Sequence, residues 1–273
     1  AHRVHRPKVA PGSPSDSVRK TSIAEDDARL DAFASRPLDC PAMKIAINGA
    51  CGRMGRTVGR LALERKMEIL PLDVAEVGKS YEFGGAKIAS RLSGKVGAVI
   101  DFSTPEAAMA RLEECLSSKT PMVICTTGFT QEQKTKIEGA AKKIPILLSS
   151  NMSVGVNVLF KAVPEIAKRL GADYDMDIVE THHRFKKDAP SGTAKTMAER
   201  IEAATKRKPG MHSVRSGDVV GEHRVMFGSL GDQIEIIHRA STRDIFAKGA
   251  VVAAEWLSRA KPGLYSMLDV VDG

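Results

Sequence analysis

The chain of 273 residues has few aromatic side chains, 4% of the total, and little cysteine. No apolar run approaches the ~20 residues that a membrane-spanning helix needs. The four cysteines form no CxxC pair and no cysteine–histidine metal spacing. We therefore expect reduced thiols, no metal site, no membrane insertion and a cytoplasmic protein. Those cysteines are Cys40, Cys51, Cys115 and Cys125.

Basic residues moderately outnumber acidic ones, 41 to 33. The net charge is +8, with 42% hydrophobic and 27% charged residues, which is typical of a globular protein of one or two domains. Positive charge attracts nucleic acid or small anions, but no nucleic-acid-binding signature is present. A small anionic substrate is the expected partner, and we predict no nucleic acid.

Residues 1–42 are polar and rich in proline, serine and arginine, with a weak helical pattern at 24–33. They lack the apolar core of a secretory signal, and the acidic cluster Glu25-Asp26-Asp27 argues against an organellar transit peptide. We predict a mostly disordered extension without a function of its own.

From Met43 onward, short apolar runs alternate with helical segments, as in a parallel α/β sheet. A predicted strand at 44–48 leads through a glycine-rich segment, residues 49–55, into a helix ending near residue 66. Such glycines permit a tight turn and close approach to a pyrophosphate, although any tight turn can need them. Asp73 ends the next predicted strand, 68–72, where it could bind ribose hydroxyls. Together these features predict dinucleotide binding.

Small and hydroxylic residues follow three further predicted strands. The strands at 96–102, 122–125 and 146–148 lead into polar clusters at 101–105, 126–129 and 149–152. Helices are predicted at 105–116, 130–142 and 154–170. Because ligands of open α/β sheets bind at the carboxyl ends of the strands, a cofactor on the glycine segment could reach these clusters.

The pattern changes near Met152, where we place the domain boundary. Predicted strands at 174–181, 221–227 and 233–240 outnumber the helices, which are predicted at 191–205 and 242–257. This pattern favours an α+β arrangement. The predicted fold class is α/β, with a parallel-sheet cofactor domain and a second α+β domain with a mixed sheet.

Positive charge is concentrated in the segment 181–193, between a predicted strand and a helix. The helix start at Ser191, Gly192 and Thr193 would add backbone N–H donors to the space near His182, His183 and Lys186. A carboxylate or phosphate would fit there, and a solvated basic loop is the alternative. Adjacent strand residues face opposite sides, so both histidines reach one ligand only if the strand turns locally.

Seven motifs in order resemble the dihydrodipicolinate reductase family over about residues 43–271. They are GACGRMG at 49–55, DFSTP at 101–105, TTGF at 126–129, NMSVGVN at 151–157, HHRFKKDAPSGT at 182–193, GDVVGEH at 217–223 and HRASTR at 238–243.

The resemblance implies reduction of 4-hydroxy-tetrahydrodipicolinate, a small dicarboxylate, by NADH or NADPH in the diaminopimelate route to lysine. It also implies a Rossmann-type cofactor domain formed by residues 43–151 with 241–273. Residues 152–240 would bind substrate and build a homotetramer.

By the same resemblance, His182 is the catalytic acid/base, Lys186 a proton donor, and His183, Gly192 and Thr193 are substrate contacts, to which we add Ser191. A histidine titrates near neutrality and so suits proton transfer. The expected cofactor contacts are Gly49, Ala50, Cys51, Gly52, Arg53, Met54, Asp73, Cys125, Thr126, Thr127, Ser149, Ser150, Asn151 and Met152.

Three departures from the family pattern matter. Cys125 stands where glycine is common, and it narrows the space beside the cofactor. Asp73 is followed by Val74 and Ala75 rather than by arginine, which leaves the choice between NADH and NADPH open. The loop before Met211 is short.

Other functions are compatible with parts of the pattern. A dinucleotide-sensing regulator would need the glycine segment but not the histidine and lysine. An aldehyde-oxidising dehydrogenase could use Cys125 as nucleophile, although a cysteine at a buried strand end is more often inert packing. Nucleic-acid binding is the remaining alternative.

Overall fold

The structure, a computed structural model, describes residues 43–273, so the predicted extension at 1–42 lies outside the described residues. The strands are β1 (Lys44–Asn48), β2 (Glu68–Leu72), β3 (Ala98–Asp101), β4 (Met122–Ile124), β5 (Pro145–Leu148), β6 (Asp175–His182), β7 (Gly210–Arg215), β8 (Gly221–Ser229), β9 (Asp232–Ala240) and β10 (Gly263–Tyr265). The helices are α1 (Arg53–Glu64), α2 (Pro105–Ser118), α3 (Gln131–Ala141), α4 (Val154–Leu170), α5 (Gly192–Thr205), α6 (Asp244–Leu257) and α7 (Met267–Asp272).

The first sheet contains six parallel strands in the order β10-β5-β4-β3-β1-β2. Apolar clusters cover both faces, so its central strands are almost continuously apolar, and Ile45, Ala46 and Ile47 are fully buried. The strand order reverses direction between β1 and β3. In doubly wound folds this switch point is where a ligand binds, outside the carboxyl ends of the strands.

The C-terminal segment completes the first sheet. Helix α6 contributes Ala250, Val251 and Ala254 to the cluster on one face, and β10 pairs in parallel with β5. Gly249 of α6 packs so closely on the chain before α4 that a Cβ there would lie 1.7 Å from the Met152 carbonyl oxygen. The first sheet is thus built from both ends of the described chain.

The second sheet contains four strands in the order β7-β6-β8-β9. Strand β6 pairs in parallel with β7 and antiparallel with β8, so the sheet is mixed. Its inner face packs on α4 and α5 through Phe160, Met197, Ile178 and Phe227. The outer face is partly apolar, with Ile237 37% exposed.

Both sheets agree with the predicted fold class. The predicted strands and helices are present, with bounds within two residues of those observed. Three elements were missed: β7, β10 and α7. Strand β7 begins at Gly210.

Candidate active site

The glycine turn after β1 depends on the absence of side chains at two positions. Gly49 has a φ of +81°, and a Cβ there would lie 2.5 Å from the carbonyl oxygen of Phe102. A Cβ on Gly55 would lie 2.1 Å from the Gly49 carbonyl oxygen. Close packing of α1 on the turn therefore excludes larger residues, as a dinucleotide-binding turn requires.

The start of α1 is suited to an anion. Its N-cap is Gly52, which has no side chain to accept hydrogen bonds from the first turn. Backbone N–H groups at the start of a helix, together with the helix dipole, favour a phosphate group.

A cavity of about 330 Å³ opens beside this helix start. The residues that line it come from α1 and from the chain just after β3 and β4: Gly52, Arg53, Met54, Phe102, Ser103, Cys125, Thr126 and Thr127. The cavity therefore lies at the switch point of the sheet and falls within the size range of ligand pockets. Six of the predicted cofactor residues meet here, and the sequence analysis had given Phe102 and Ser103 no contact role.

Asp73 is held against the glycine turn. Its Oδ2 accepts a hydrogen bond from the Cys51 backbone N–H at 2.9 Å, and its Oδ1 accepts one from the Ala75 N–H at 2.9 Å. The carboxylate is fixed beside the loop predicted to bind the cofactor, with Val74 88% exposed next to it. This placement fits a carboxylate that accepts a hydrogen bond from a ribose hydroxyl.

The remaining predicted cofactor residues lie around the turn or after β5. Ala50 is fully buried and Met152 is 2% exposed, so little of either side chain can touch a ligand. Ser149 donates a hydrogen bond from its hydroxyl to the Asn151 carbonyl oxygen at 2.9 Å. Ser150 is exposed.

Asn151 connects the strand ends of the first sheet to the basic segment. Its Nδ2 donates a hydrogen bond to Thr193 Oγ1 at 2.9 Å. Thr193 lies in the first turn of α5, directly after the segment predicted to hold a carboxylate. The predicted cofactor and substrate residues thus approach each other at this contact.

A buried polar network supports the cavity wall. Asn48 donates from Nδ2 to Asp101 Oδ1 at 2.7 Å and to Ser103 Oγ at 3.1 Å, and Arg111 donates from Nε to Asn48 Oδ1 at 3.1 Å. Burial raises the pKa of Asp101, although hydrogen bonds from Ser103, Thr126 and Asn48 oppose this. The network fixes the residues that follow β3 and β4.

In the second sheet, His182 is the last residue of β6, and His183 lies beyond the strand. The Lys186 N–H donates to the His183 carbonyl oxygen at 3.1 Å, which closes a turn. This turn begins at His183, one residue after the end of the strand. Whether both side chains contact a ligand stays a prediction.

Glu180 lies on the same buried face of β6 as His182, and it is fully buried. One carboxylate oxygen lies within hydrogen-bond distance of His182 Nδ1 and accepts a hydrogen bond from Arg215 Nη1 at 3.0 Å. The other accepts hydrogen bonds from Arg215 Nη2 at 2.7 Å and from the Ser191 N–H at 3.2 Å. Burial raises the pKa of this carboxyl, but the hydrogen bonds from Arg215, Ser213 and His182 outweigh burial and hold the pKa at about 2.

Two further histidines extend this cluster across the sheet. His223 of β8 pairs in register with Glu180 on one side and with His238 of β9 on the other. The His182 and His223 rings meet edge to face, with centroids 5.2 Å apart. Burial, then the charges of His182 and His238, lowers the pKa of His223 to about 4, so this ring is neutral at pH 7.

Lys186 pairs with Asp188 at 2.9 Å, and its side chain is largely buried. Arg215 Nη2 donates to the Asp188 carbonyl oxygen at 2.6 Å. The loop that carries Lys186 is therefore attached to the same arginine that binds Glu180.

The start of α5 has the geometry of a capped helix. Ser191 Oγ accepts a hydrogen bond from the Ala194 N–H at 3.2 Å and lies 3.1 Å from His223 Nε2. A Cβ on Gly192 would meet no atom within 4 Å, so open space adjoins this turn. The Thr193 hydroxyl oxygen accepts the hydrogen bond from Asn151 Nδ2.

Sequence reasoning missed four residues of this cluster: Glu180, Arg215, His223 and His238. Glu180 could have been found, because residues two apart on a strand share a face. Arg215 could not, because β7 was not predicted. The two histidines stand in recognised motifs, but nothing in the sequence showed that they meet the basic segment.

Cys125 lines the cavity but is 9% exposed. Burial, and then the charge of Asp101, raises the pKa of its thiol well above its ordinary value. A protonated thiol is a poor nucleophile, which weighs against the alternative of an aldehyde-oxidising cysteine. Within residues 43–273, no helix is long and apolar enough to cross a membrane.

Comparison with solved structures supports the fold. The dipicolinate-bound dihydrodipicolinate reductase from Paenisporosarcina sp. TG-14 aligns with a TM-score of 0.67 at 24% identity, covering 84% of this chain and 99% of that one. Aspartate semialdehyde dehydrogenase II from Vibrio cholerae, complexed with ASA, aligns with a TM-score of 0.53 at 13% identity, covering 80% and 99%. At these identities the likeness concerns the fold alone.

Sequence comparisons are more specific. The 4-hydroxy-tetrahydrodipicolinate reductases of Geotalea uraniireducens and Rubrobacter xylanophilus are 42% and 41% identical to this chain, each match covering 84% of the chain and 98% of the relative. Two family models, described as the N-terminus and the C-terminus of dihydrodipicolinate reductase, match residues 43–152 and 155–271. The chain belongs to the dihydrodipicolinate reductase family.

Proposed function

We propose that this chain reduces 4-hydroxy-tetrahydrodipicolinate to tetrahydrodipicolinate with NADH or NADPH, in the diaminopimelate pathway of lysine biosynthesis. The structural observation that carries the proposal is the hydrogen bond from Asn151 to Thr193. It joins the strand ends beside the cofactor cavity to the helix start beside His182 and Lys186. A reductase needs this adjacency, since hydride and proton go to one substrate.

The first sheet would hold the cofactor at its switch point. The α1 start would bind the pyrophosphate, Asp73 would accept a ribose hydroxyl, and Thr126 and Thr127 would line the cavity wall. When bound, the cofactor supplies the hydride, and the protein supplies orientation and charge. We assign this role to residues 43–151 with 241–273.

The second sheet would hold the substrate, within residues 152–240. The start of α5, from Ser191 to Thr193, offers backbone donors to a carboxylate, and the open space beside Gly192 leaves room for it. Lys186 adds positive charge, with His183 nearby beyond the strand. His182 is the proposed general acid, because its imidazole lies at the strand end and imidazole is a side chain suited to proton transfer; burial lowers its pKa from the ordinary value.

A direct assay tests the function. Purified chain would be mixed with substrate generated in situ, and the absorbance of the reduced nicotinamide would be followed with NADH and then with NADPH. We expect steady turnover, with Lys186→Met weakening it through a raised KM and a lowered kcat. The same substitution at the exposed Lys187 is the control. Cofactor binding without turnover would instead support a dinucleotide-sensing regulator.

We also propose a homotetramer that forms through the outer face of the second sheet, in the cytoplasm. The partly exposed Val214 and Ile237 on that face would be covered in such an assembly. The three described cysteines are free thiols, as a reducing compartment favours. Light scattering after size-exclusion chromatography would give about four times the chain mass of 29.4 kDa, and a monomer would contradict the proposal.

A further inference from the structure

The buried carboxylate of Glu180 makes four hydrogen bonds, two on each oxygen, with His182 Nδ1, the Ser191 N–H and both terminal nitrogens of Arg215. A buried carboxylate is costly unless it is fully paired, and here the bidentate arrangement of Arg215 meets that requirement. Glu180 is therefore a carboxylate anion, which can accept hydrogen bonds but cannot donate them. The atom facing it in His182, Nδ1, must carry a proton.

We propose that Glu180 and Arg215 are positioning residues that fix His182 in the tautomer with hydrogen on Nδ1, leaving Nε2 as the atom that exchanges the proton. This inference rests on the proposed function, and it adds two residues that lie outside the basic segment 181–193. When protonated, His182 would give the Nε2 proton to the substrate. The Nδ1 proton would stay in the bond to Glu180, so the ring ends neutral and correctly oriented.

The space around His182 Nε2 supports this assignment. Gly221 is the first residue of the neighbouring strand β8, and a Cβ there would lie 3.1 Å from Nε2. That contact is tighter than most side chains tolerate. The glycine thus keeps the second ring nitrogen clear, while the first is held by the carboxylate.

Arg215 extends the same control to Lys186. It lies directly opposite His182 in the parallel pairing of β6 with β7. Its Nη2 donates to Glu180 and also to the carbonyl oxygen of Asp188, the residue that pairs with Lys186. One guanidinium therefore sets the position of both proposed proton donors relative to each other.

Four charged or titratable groups face His182: Glu180 on its own strand, Arg215 on β7, His223 on β8 and Lys186 in the loop. Burial lowers the pKa of His182, Glu180 raises it, and Lys186 and Arg215 lower it. His223 is neutral at pH 7. Of these four groups, Glu180 alone makes the protonated ring easier to form, so loss of its charge should move the pH profile.

The tautomer can be measured in the free wild-type protein. Histidines labelled with ¹⁵N would be observed by NMR above pH 8, and the signal missing in His182→Gln would identify the ring among the seven histidines. We expect a protonated Nδ1 and an unprotonated Nε2. Hydrogen on Nε2 would overturn the proposal. Because no substrate is needed, this result does not depend on whether the proposed reaction is correct.

Kinetics of Glu180→Gln test the consequence. The amide matches the carboxylate in shape, but its NH₂ group cannot accept a hydrogen bond from Arg215 or His182. We expect kcat to fall by about 10² or more. The decline of kcat with rising pH, which reports loss of the proton from His182, should move to lower pH, and cofactor affinity should be retained. Glu222→Gln, on the neighbouring strand, should leave kcat and the pH profile unchanged.

Two further variants separate positioning from general stability. Glu180→Asp keeps the charge and should recover part of kcat and the wild-type pH limb. Arg215→Lys keeps the charge but not the bidentate fork, and it should lower kcat more than it changes the melting temperature. A Glu180→Gln protein that folds with a wild-type pH profile would contradict the proposal. If it does not fold, the wild-type tautomer decides.

Discussion

The two halves of the candidate site are built on opposite principles. At the switch point of the first sheet, the site is made mostly of backbone and small residues, and its shape follows from glycines that exclude a Cβ. At the end of the second sheet, it is made of ionisable side chains from β6, β7, β8 and β9. The first half depends on chain geometry, and the second depends on charge.

This difference predicts which property each change affects. Substitutions in the second half should alter turnover and its pH dependence while cofactor binding persists. Substitutions in the glycine turn should alter stability and cofactor binding together, since the same backbone forms the fold and the binding surface.

The largest effect is expected from His182→Gln. Removing a proton-transfer group typically lowers the rate by ~10²–10⁴, and glutamine cannot replace a titrating ring. Cofactor affinity should stay nearly the same, because no His182 atom lines the cavity at the first sheet. Stopped-flow turnover and fluorescence titration of the reduced cofactor would measure the two quantities. Unchanged turnover would remove His182 from the mechanism.

The next effect concerns pH and stability. The pKa of His223 falls from an ordinary 6.5 to about 4 in the folded state, so the unfolded chain binds more protons between these values. Stability from this group is present above pH 6.5 and is lost as pH falls toward 4, by about 3 kcal/mol. Urea unfolding at pH 7 and pH 4.5 would measure the loss.

His223→Gln should reduce that pH dependence, whatever its effect on stability at pH 7. The matched control is His212→Gln, which changes an exposed histidine on the same sheet and should retain the wild-type dependence. Equal slopes in the wild type and in His223→Gln would show that the buried ring does not contribute.

A smaller effect is expected in the first half from Gly55→Ala. The new Cβ would lie 2.1 Å from the Gly49 carbonyl oxygen and 2.7 Å from the Ala50 Cα, so the turn must move away from α1. Such overpacking costs about 1–3 kcal/mol, and cofactor affinity should fall with stability. Thermal melting and cofactor titration would measure both.

Gly139→Ala provides the contrast. Gly139 lies in α3, and a Cβ there would meet no atom within 4 Å. Alanine in a helix interior should stabilise the protein by roughly 0.5–1 kcal/mol. If both glycines respond alike, steric exclusion does not explain the turn.

The same contrast explains how far the sequence could be interpreted. The glycine turn, Asp73 and the hydroxylic strand ends are local patterns, and six predicted residues meet in one cavity. The observed bounds of the helix Val154–Leu170 are the predicted ones, because its apolar pattern repeats over 17 residues. Local order along the chain was enough for this half.

The charge cluster could not be derived in that way. Arg215 meets Glu180 only because β7 pairs in parallel with β6, and β7 has no fully buried residue and little apolar pattern to reveal it. Strand β10 was missed because three residues give no periodicity. His223 and His238 are neighbours through antiparallel register, which is a property of the folded sheet.

The smallest effect is expected from Cys125→Ala, and it tests whether the cavity wall acts through shape alone. The thiol is buried, its pKa is raised by that burial, and its backbone N–H is bonded to the Asp101 carbonyl oxygen at 3.0 Å. Alanine keeps this backbone bond and removes only the sulfur, so kcat should remain within about twofold of wild type. Steady-state turnover would measure it. A tenfold loss would mean that sulfur takes part in the chemistry, and the first half of the site would then depend on more than backbone geometry.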